Sequence, residues 1–274
     1  MPELPEVQTI VNDLQKIIGD EFAGFFSDFP KAVKTDFFEK EILGSKIRSV
    51  SRLGKIILIN LENKNSIAIH LKMTGKLLLV ESGDSKAENT QEKHLHHIFD
   101  LKKNGKINFH DVRKFATISL LKEADIWEIK KKYGIDPIDE DFEIKDLVEI
   151  LEKRKGKPIK SILMDNSVIL GIGNIYASEI LFDAKILPMR LGKSLSKIEV
   201  KKLHHSIKKI LELAIKLRGT SVSDYRDSHG AKGSFQHELK VYKRNGQKCN
   251  KCDTIIEKVV IGQRSTFFCP NCQK

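Results

Sequence analysis

The spacing of apolar residues changes once along this chain, and the change divides it. Val7, Ile10, Val11, Leu14, Ile17 and Ile18 fall on one face at helical spacing, so residues 6–18 predict a helix, stopped by Gly19. Short strand-like segments follow at 46–53, 55–61, 66–71, 76–80, 96–101, 106–109 and 117–121. Turn material such as Glu62-Asn63-Lys64-Asn65 and Lys103-Asn104-Gly105 separates them. Many short strands in succession predict an antiparallel β-sandwich over about the first 120 residues. Residues 82–92 are polar without a period and predict a surface loop.

Beyond residue 123 helical spacing takes over. Patterns at 126–133 and 144–153 flank a break at Gly134-Ile135-Asp136-Pro137. An apolar stretch from 159 leads to Gly171-Ile172-Gly173-Asn174, which opens a helix running from 175 to about 185. Ser196 and Glu199 have capping-box spacing ahead of a long helix to about 217, closed by Gly219. Residues 220–236 hold Gly230, Gly233 and small polar residues, a long loop of the kind that in compact domains is more often functional than not. The fold class is therefore α+β in two domains. The expected division is a β-sandwich domain with its N-terminal helix at 1–122, a linker at 123–140, a helical domain with its loop at 141–236, and a terminal module at 237–274.

Charge narrows the partner. Lys+Arg number 48 against 37 Asp+Glu, a net charge of +11. That excess favours a polyanion, nucleic acid ahead of an anionic membrane. No apolar run approaches the roughly 20 residues of a membrane span, and the N-terminus lacks a secretory apolar core, so a cytoplasmic location is expected. The four cysteines fall as Cys249-x-x-Cys252 and Cys269-x-x-Cys272, sixteen residues apart. This is the spacing of one structural zinc ion held by two tight turns. A disulfide reading would need an oxidising compartment.

The chemistry concentrates in Met1-Pro2-Glu3-Leu4-Pro5-Glu6. A small second residue permits removal of Met1, which leaves Pro2 with the α-amine. Such an amine has an ordinary pKa of roughly 8, against about 10.4 for lysine, so far more of it is neutral. A neutral secondary amine attacks a carbonyl-like carbon to give an iminium ion. Glu3 follows directly, close to whatever is attacked. By itself the stretch also suits the opening of a helix.

Other stretches carry weaker signals. Gly171-x-Gly173-Asn174 ahead of a helix suits a phosphate, or simply a tight turn, and Lys157 and Lys160 could approach the same anion. Gly262-Gln263-Arg264-Ser265-Thr266 forms a basic tip on a zinc-braced hairpin. Met73 sits in a turn, and Asp111-Val112-Arg113-Lys114-Phe115 mixes cations with an aromatic ring. Exposed together, Met73, Arg113 and Phe115 suit insertion into a base stack, although each alone fits a core or a solvated surface. Lys93-His94-Leu95-His96-His97 would place His94 and His96 on one strand face, but no third metal ligand is evident. Phosphate or backbone partners suit these imidazoles better. Lys55, after Gly54, reads equally as an ordinary edge-strand lysine.

Taken in order, Met1-Pro-Glu-Leu-Pro-Glu-Val7, Arg52-x-Gly-Lys55, His70-Leu-x-Met73, Lys93-His94-x-His96, Asp111-x-Arg-Lys-Phe115, Met164-Asp-Asn166, Gly171-x-Gly-Asn-Ile-Tyr-Ala-Ser-Glu179, Phe235-Gln-x-Glu-Leu239-x-Val-Tyr242 and the cysteine module resemble bacterial formamidopyrimidine-DNA glycosylases over essentially the whole chain. The resemblance implies a β-sandwich and a helical domain with a helix–two-turns–helix motif and a four-cysteine zinc finger. It implies a monomeric DNA glycosylase and abasic-site lyase acting on duplex DNA with an oxidised purine opposite cytosine. Pro2 would be the nucleophile and Glu3 the general acid or base. Lys55 and Arg264 would assist the eliminations or hold phosphate. Met73, Arg113 and Phe115 would fill the void left by the damaged base. His70, His94, Lys160, Asn174 and Tyr242 match phosphate-contacting positions, and 220–236 matches the loop over the extruded base. Ala116 departs from the usual glycine, and Gly134-Ile-Asp-Pro137 from the usual Gly-Pro-Glu-Pro. The competing readings are an endonuclease VIII-like enzyme for oxidised pyrimidines and a zinc-containing DNA-binding protein without catalysis.

Overall fold

The alternating segments of the first half pair into two four-stranded antiparallel sheets in the computed structural model, which describes residues 1–82 and 93–274. Most of the polar stretch expected as a loop at 82–92 lies outside the described residues. One sheet has the order β1 (Phe22–Ser27), β6 (Leu95–Leu101), β7 (Lys106–Asp111), β5 (Gly75–Val80). The other runs β2 (Ile47–Leu53), β3 (Ile56–Leu61), β4 (Asn65–His70), β8 (Thr117–Lys122). Ile57, Ile59, Ile67, Ile69 and Ile118 of the second sheet share one core with Phe22, Leu77, Phe99, Ile107 and Phe109 of the first. Seven of the eight strands follow the expected segments. β1 does not, because Phe-Ala-Gly-Phe-Phe-Ser has no clean alternation and gains its pairing only from β6.

Helix α1 spans Leu4–Asp13, two residues earlier than its apolar period predicts, and continues as a 3-10 turn over Leu14–Ile17. The early start comes from a reciprocal cap. The Glu3 side chain accepts the backbone N–H of Glu6, and the Glu6 carboxylate accepts the N–H of Glu3 at 2.7 Å. Val7, Ile10, Val11 and Leu14 are fully or almost fully buried. Each such side chain contributes about 1.5–3 kcal/mol, more than the ~1 kcal/mol of a cap, so packing chiefly fixes the terminus. A short helix α2 (Phe38–Ile42) precedes β2.

Two segments differ in place from the sequence division. Residues of the expected linker form helix α3 (Glu123–Lys131), continuous with β8, and belong to the first compact unit, Met1–Lys131 with Leu217–Gln236. Residues 217–236 thus pack with the sandwich, because polar atoms of α1 take up their backbone, as described below.

The second unit comprises Lys132–Lys216 and His237–Lys274. It contains α4 (Ile144–Lys153), α5 (Ile159–Leu163), α6 (Asn174–Asp183) and α7 (Lys197–Lys216). Helix α6 is apolar nearly all round and is its buried centre, with Ile175, Tyr176, Ala177, Ile180, Leu181 and Phe182 inaccessible or nearly so. The predicted capping box of α7 forms: Glu199 accepts the Ser196 N–H at 2.8 Å and donates its own N–H to Ser196 Oγ at 3.3 Å. Arg190, bonded to Glu199, holds that carboxyl down at about 2. Strands β9 (Glu257–Ile261) and β10 (Arg264–Phe268) form the terminal hairpin. Among the described residues no helix is long and apolar enough to cross a membrane.

Candidate active site

Pro2 and Glu3 are both buried at the capped end of α1. The Glu6 carboxylate, 1% exposed, bonds Glu3 N through one oxygen and Thr220 N through the other, each at 2.7 Å. One acidic group therefore fixes the residue after Pro2 and the start of segment 220–236 together. The signal for Glu6 in the sequence is its place three residues after Glu3, a capping-box spacing.

Lys55 is half-buried in the two-residue turn Gly54-Lys55 and does not begin β3. His70 ends β4, and its Nδ1 accepts the Lys72 N–H at 3.0 Å. Burial, then the charges of Lys72 and Lys55, push its pKa down to about 4, so the ring is neutral at cellular pH. With Nδ1 accepting, the ring proton lies on Nε2, a neutral donor suited to a phosphate oxygen.

Two adjacent loops present the apolar and cationic residues. In the first, Gly75 N bonds Leu71 O at 3.0 Å, which puts Met73 at the apex, 41% exposed. A Cβ on Gly75 would stand 2.6 Å from Leu71 O and 3.0 Å from the Phe109 ring, so only glycine closes this turn. The second loop follows β7. The buried Asp111 carboxylate ties the two: it accepts Thr74 Oγ1 at 2.5 Å and Ala116 N at 2.8 Å, and Arg113 N bonds Thr74 Oγ1 at 3.0 Å. Phe115 is half exposed, with the Arg113 guanidinium 4.7 Å from its ring centre. Met73, Arg113 and Phe115 are thus held together at the surface, as the sequence suggested. The staple of Asp111 and Thr74 was missed, since nothing in a lone Asp and a lone Thr shows that they meet.

The histidine run is arranged otherwise than expected. His94 precedes β6 with φ 71°, so it does not share a strand face with His96; its carbonyl accepts Asp111 N at 2.9 Å. His96 bonds Asp28 at 2.8 Å and His97 bonds Ser27 at 2.9 Å. Among the described residues, the cysteines form the one group of metal-ligand side chains.

In the second unit Asn174 opens α6, Lys160 lies in α5 and Arg264 starts β10 at the hairpin tip. The structure brings the three to one place. Lys160, 1% exposed, donates to Asn174 Oδ1 at 2.6 Å, Thr266 Oγ1 at 2.7 Å and Ser265 O at 3.1 Å. Its ammonium thus braces the helix end against the hairpin, beside the Asn174 amide. Asn174 Nδ2 also bonds Ser265 O, at 2.9 Å. Arg264 is exposed beyond a left-handed Gly262-Gln263 turn. Lys157 is exposed and 3.6 Å from Asp165. Tyr242 packs against Phe267, and its N–H joins those of Lys240 and Val241 on the buried Glu179 carboxylate, at 2.8–3.0 Å. Burial pushes that carboxyl up even though three N–H groups bond it.

The cysteine sulfurs of Cys249, Cys252, Cys269 and Cys272 lie within 4.8 Å of one another, with neighbouring pairs at 3.4, 3.5 and 3.9 Å. A tetrahedron with Zn–S bonds of 2.3 Å has edges of about 3.8 Å. Backbone N–H groups of Lys251 and Cys272 also point at Cys249 and Cys269 sulfurs, as they should toward thiolates. The arrangement fits one zinc ion.

Known proteins agree with this assembly. A model described as a zinc finger found in FPG and IleRS matches residues 246–274, and the formamidopyrimidine-DNA glycosylase H2TH domain matches 133–226. Fold and finger thus define a helix–two-turns–helix protein with a zinc-bound terminal module. The N-terminal domain model of formamidopyrimidine-DNA glycosylase matches residues 1–118, and the chain belongs to that family. It is 41% identical to the formamidopyrimidine-DNA glycosylase of Streptococcus mutans over 100% of both chains, and 41% to that of Carboxydothermus hydrogenoformans, again over 100% of both. Among solved structures, it resembles Lactococcus lactis Fpg in complex with abasic-site DNA, with a TM-score of 0.89, 37% identity and 99% of each chain covered. It is similar to the same bacterium's Fpg with Fapy-dG DNA, with a TM-score of 0.88, 36% identity and 99% and 100% covered.

Proposed function

We propose that this protein is a base-excision-repair DNA glycosylase and abasic-site lyase. Its substrate is duplex DNA carrying an oxidised purine such as 8-oxoguanine or a formamidopyrimidine opposite cytosine. The observation that carries the reading is the burial of Pro2 and Glu3 at a capped helix end. Once Met1 is removed, Pro2 carries the α-amine, whose ordinary pKa of roughly 8 leaves far more of it neutral than a lysine.

The damaged nucleotide leaves the stack, at a cost of a few kcal/mol. Met73 and Phe115 occupy the gap, and Arg113 donates to the acceptors of the orphaned cytosine. The Pro2 nitrogen bonds to C1′ as the bond from C1′ to the base breaks, and Glu3 handles the protons of base loss and sugar-ring opening. The iminium acidifies the hydrogens on C2′, so elimination expels the 3′ phosphate and then the 5′ phosphate. Lys55 supplies or takes protons there, and Arg264 balances phosphate charge, since an arginine does not readily release a proton. His70, His94, Lys157, Asn174 and Tyr242 hold the DNA backbone, with Lys160 bracing Asn174. The bound zinc shapes the hairpin and takes no part in chemistry. The protein works as a monomer in the bacterial cytoplasm, at the nucleoid.

The test compares cleavage of 8-oxoguanine:cytosine and thymine-glycol:adenine duplexes by the wild type and by Pro2→Ala. Preference for the first duplex and loss of cleavage in the variant are expected. Preference for the second would make the enzyme endonuclease VIII-like, and a fully active Pro2→Ala would overturn the mechanism.

A further inference from the structure

Segment 217–236 is fastened to α1 at two places. Near the helix start, Glu6 bonds the N–H groups of Glu3 and Thr220. Two turns further along, Arg218 lies between two carboxylates. Its Nη2 donates to Asp13 Oδ2 and its Nε to Asp227 Oδ2, both at 2.6 Å. The Asp13 and Asp227 side chains are only 7% and 1% exposed. Asp227 also organises the segment, accepting the N–H groups of His229 at 3.0 Å and Ala231 at 2.8 Å. Asp13 accepts Ser228 N, and Ser228 O accepts Leu79 N at 2.9 Å, which extends the fastening to β5. His229, 3.8 Å from Asp13, adds a cation only when protonated.

Arg218 holds this position with φ 60°, a left-handed backbone that side-chain-bearing residues seldom adopt. The conformation aims one guanidinium at both acids. Without it, two nearly buried carboxylates would share one site with no permanent cation between them, an arrangement that favours separation of the segment from α1.

We propose that Arg218 is a positioning residue that clamps residues 219–236 onto α1, closing the pocket that holds an extruded base beside Pro2. This rests on the reading of Pro2 as nucleophile. An abasic sugar brings no base to enclose, so its cleavage needs Pro2, Glu3 and the backbone contacts but not the clamp.

The experiment measures single-turnover excision from an 8-oxoguanine:cytosine duplex and cleavage of an abasic duplex, for wild type, Arg218→Ala and Arg218→Gly. Excision should fall roughly 10- to 100-fold in both variants, with abasic cleavage within about twofold of wild type, as expected when only the base is misplaced. Arg218→Gly relaxes the backbone without restoring the charge, so it should match Arg218→Ala. Unchanged excision, parallel loss of both activities, or wild-type excision by Arg218→Gly would each overturn the clamp. A wild type that cleaves neither duplex would instead sink the nucleophile reading on which the clamp depends.

Discussion

His70 and His97 show what burial does to a titrating residue. Burial, aided by neighbouring cations at His70 and by His96 at His97, pushes each down to about 4 from an ordinary 6.5. Between those values the unfolded chain binds more protons than the folded one. Stability is therefore complete above about pH 6.5 and drains away as pH falls toward 4, by on the order of 2 kcal/mol per histidine. Thermal melts at pH 7.5 and 4.5 should show this loss, and His97→Gln should show less of it; an equally steep fall in the variant would rule out burial of His97 as a cause. Two surface residues divide affinity from discrimination. Arg113→Ala should relax the preference for cytosine opposite the lesion, while Asn174→Ala should weaken binding to every duplex alike. Equal losses of Arg113→Ala on cytosine- and adenine-paired lesions would refute the first. Lys160 marks the limit of reading residues from sequence: its place near a glycine turn is visible there, but its bonds to Ser265 and Thr266 of the hairpin are not.

Elements were legible where their period was strong. The long helix α7, its capping box and seven strands followed from spacing alone. β1 was not legible because its six residues carry no alternation, whereas the helical pattern at 126–133 is met as α3, which starts three residues earlier and ends two earlier, inside the stretch expected as linker. The hairpin β9–β10 was readable as a zinc-braced tip because cysteine spacing constrains geometry more tightly than hydrophobic pattern does. Its attachment to α5 and α6 through Lys160 and Asn174 makes it more than an appendage. Chelation of zinc should unfold the hairpin and withdraw Ser265 and Thr266 from those partners, so DNA affinity should drop, by at least tenfold if the tip carries a charged contact worth about 1.4 kcal/mol. Fluorescence anisotropy before and after metal removal measures it; unchanged affinity would show that the finger does not contribute.

At the scale of the whole molecule, the excess of eleven positive charges suits a polyanion without choosing one. The choice comes from the groups placed on it: a buried Pro2 beside Glu3 at the capped start of α1, and an exposed Met73, Arg113 and Phe115 whose two loops are joined through one aspartate. Family membership explains why the motifs occur in this order, and packing explains how segment 217–236, distant in sequence, lies against the first helix. The most direct test is borohydride reduction of the enzyme on 8-oxoguanine duplex, followed by mass mapping of the cross-linked peptide. The account predicts a stable adduct on the nitrogen of Pro2, in a chain that begins at Pro2. An adduct on a lysine, or active enzyme that retains Met1, would contradict it.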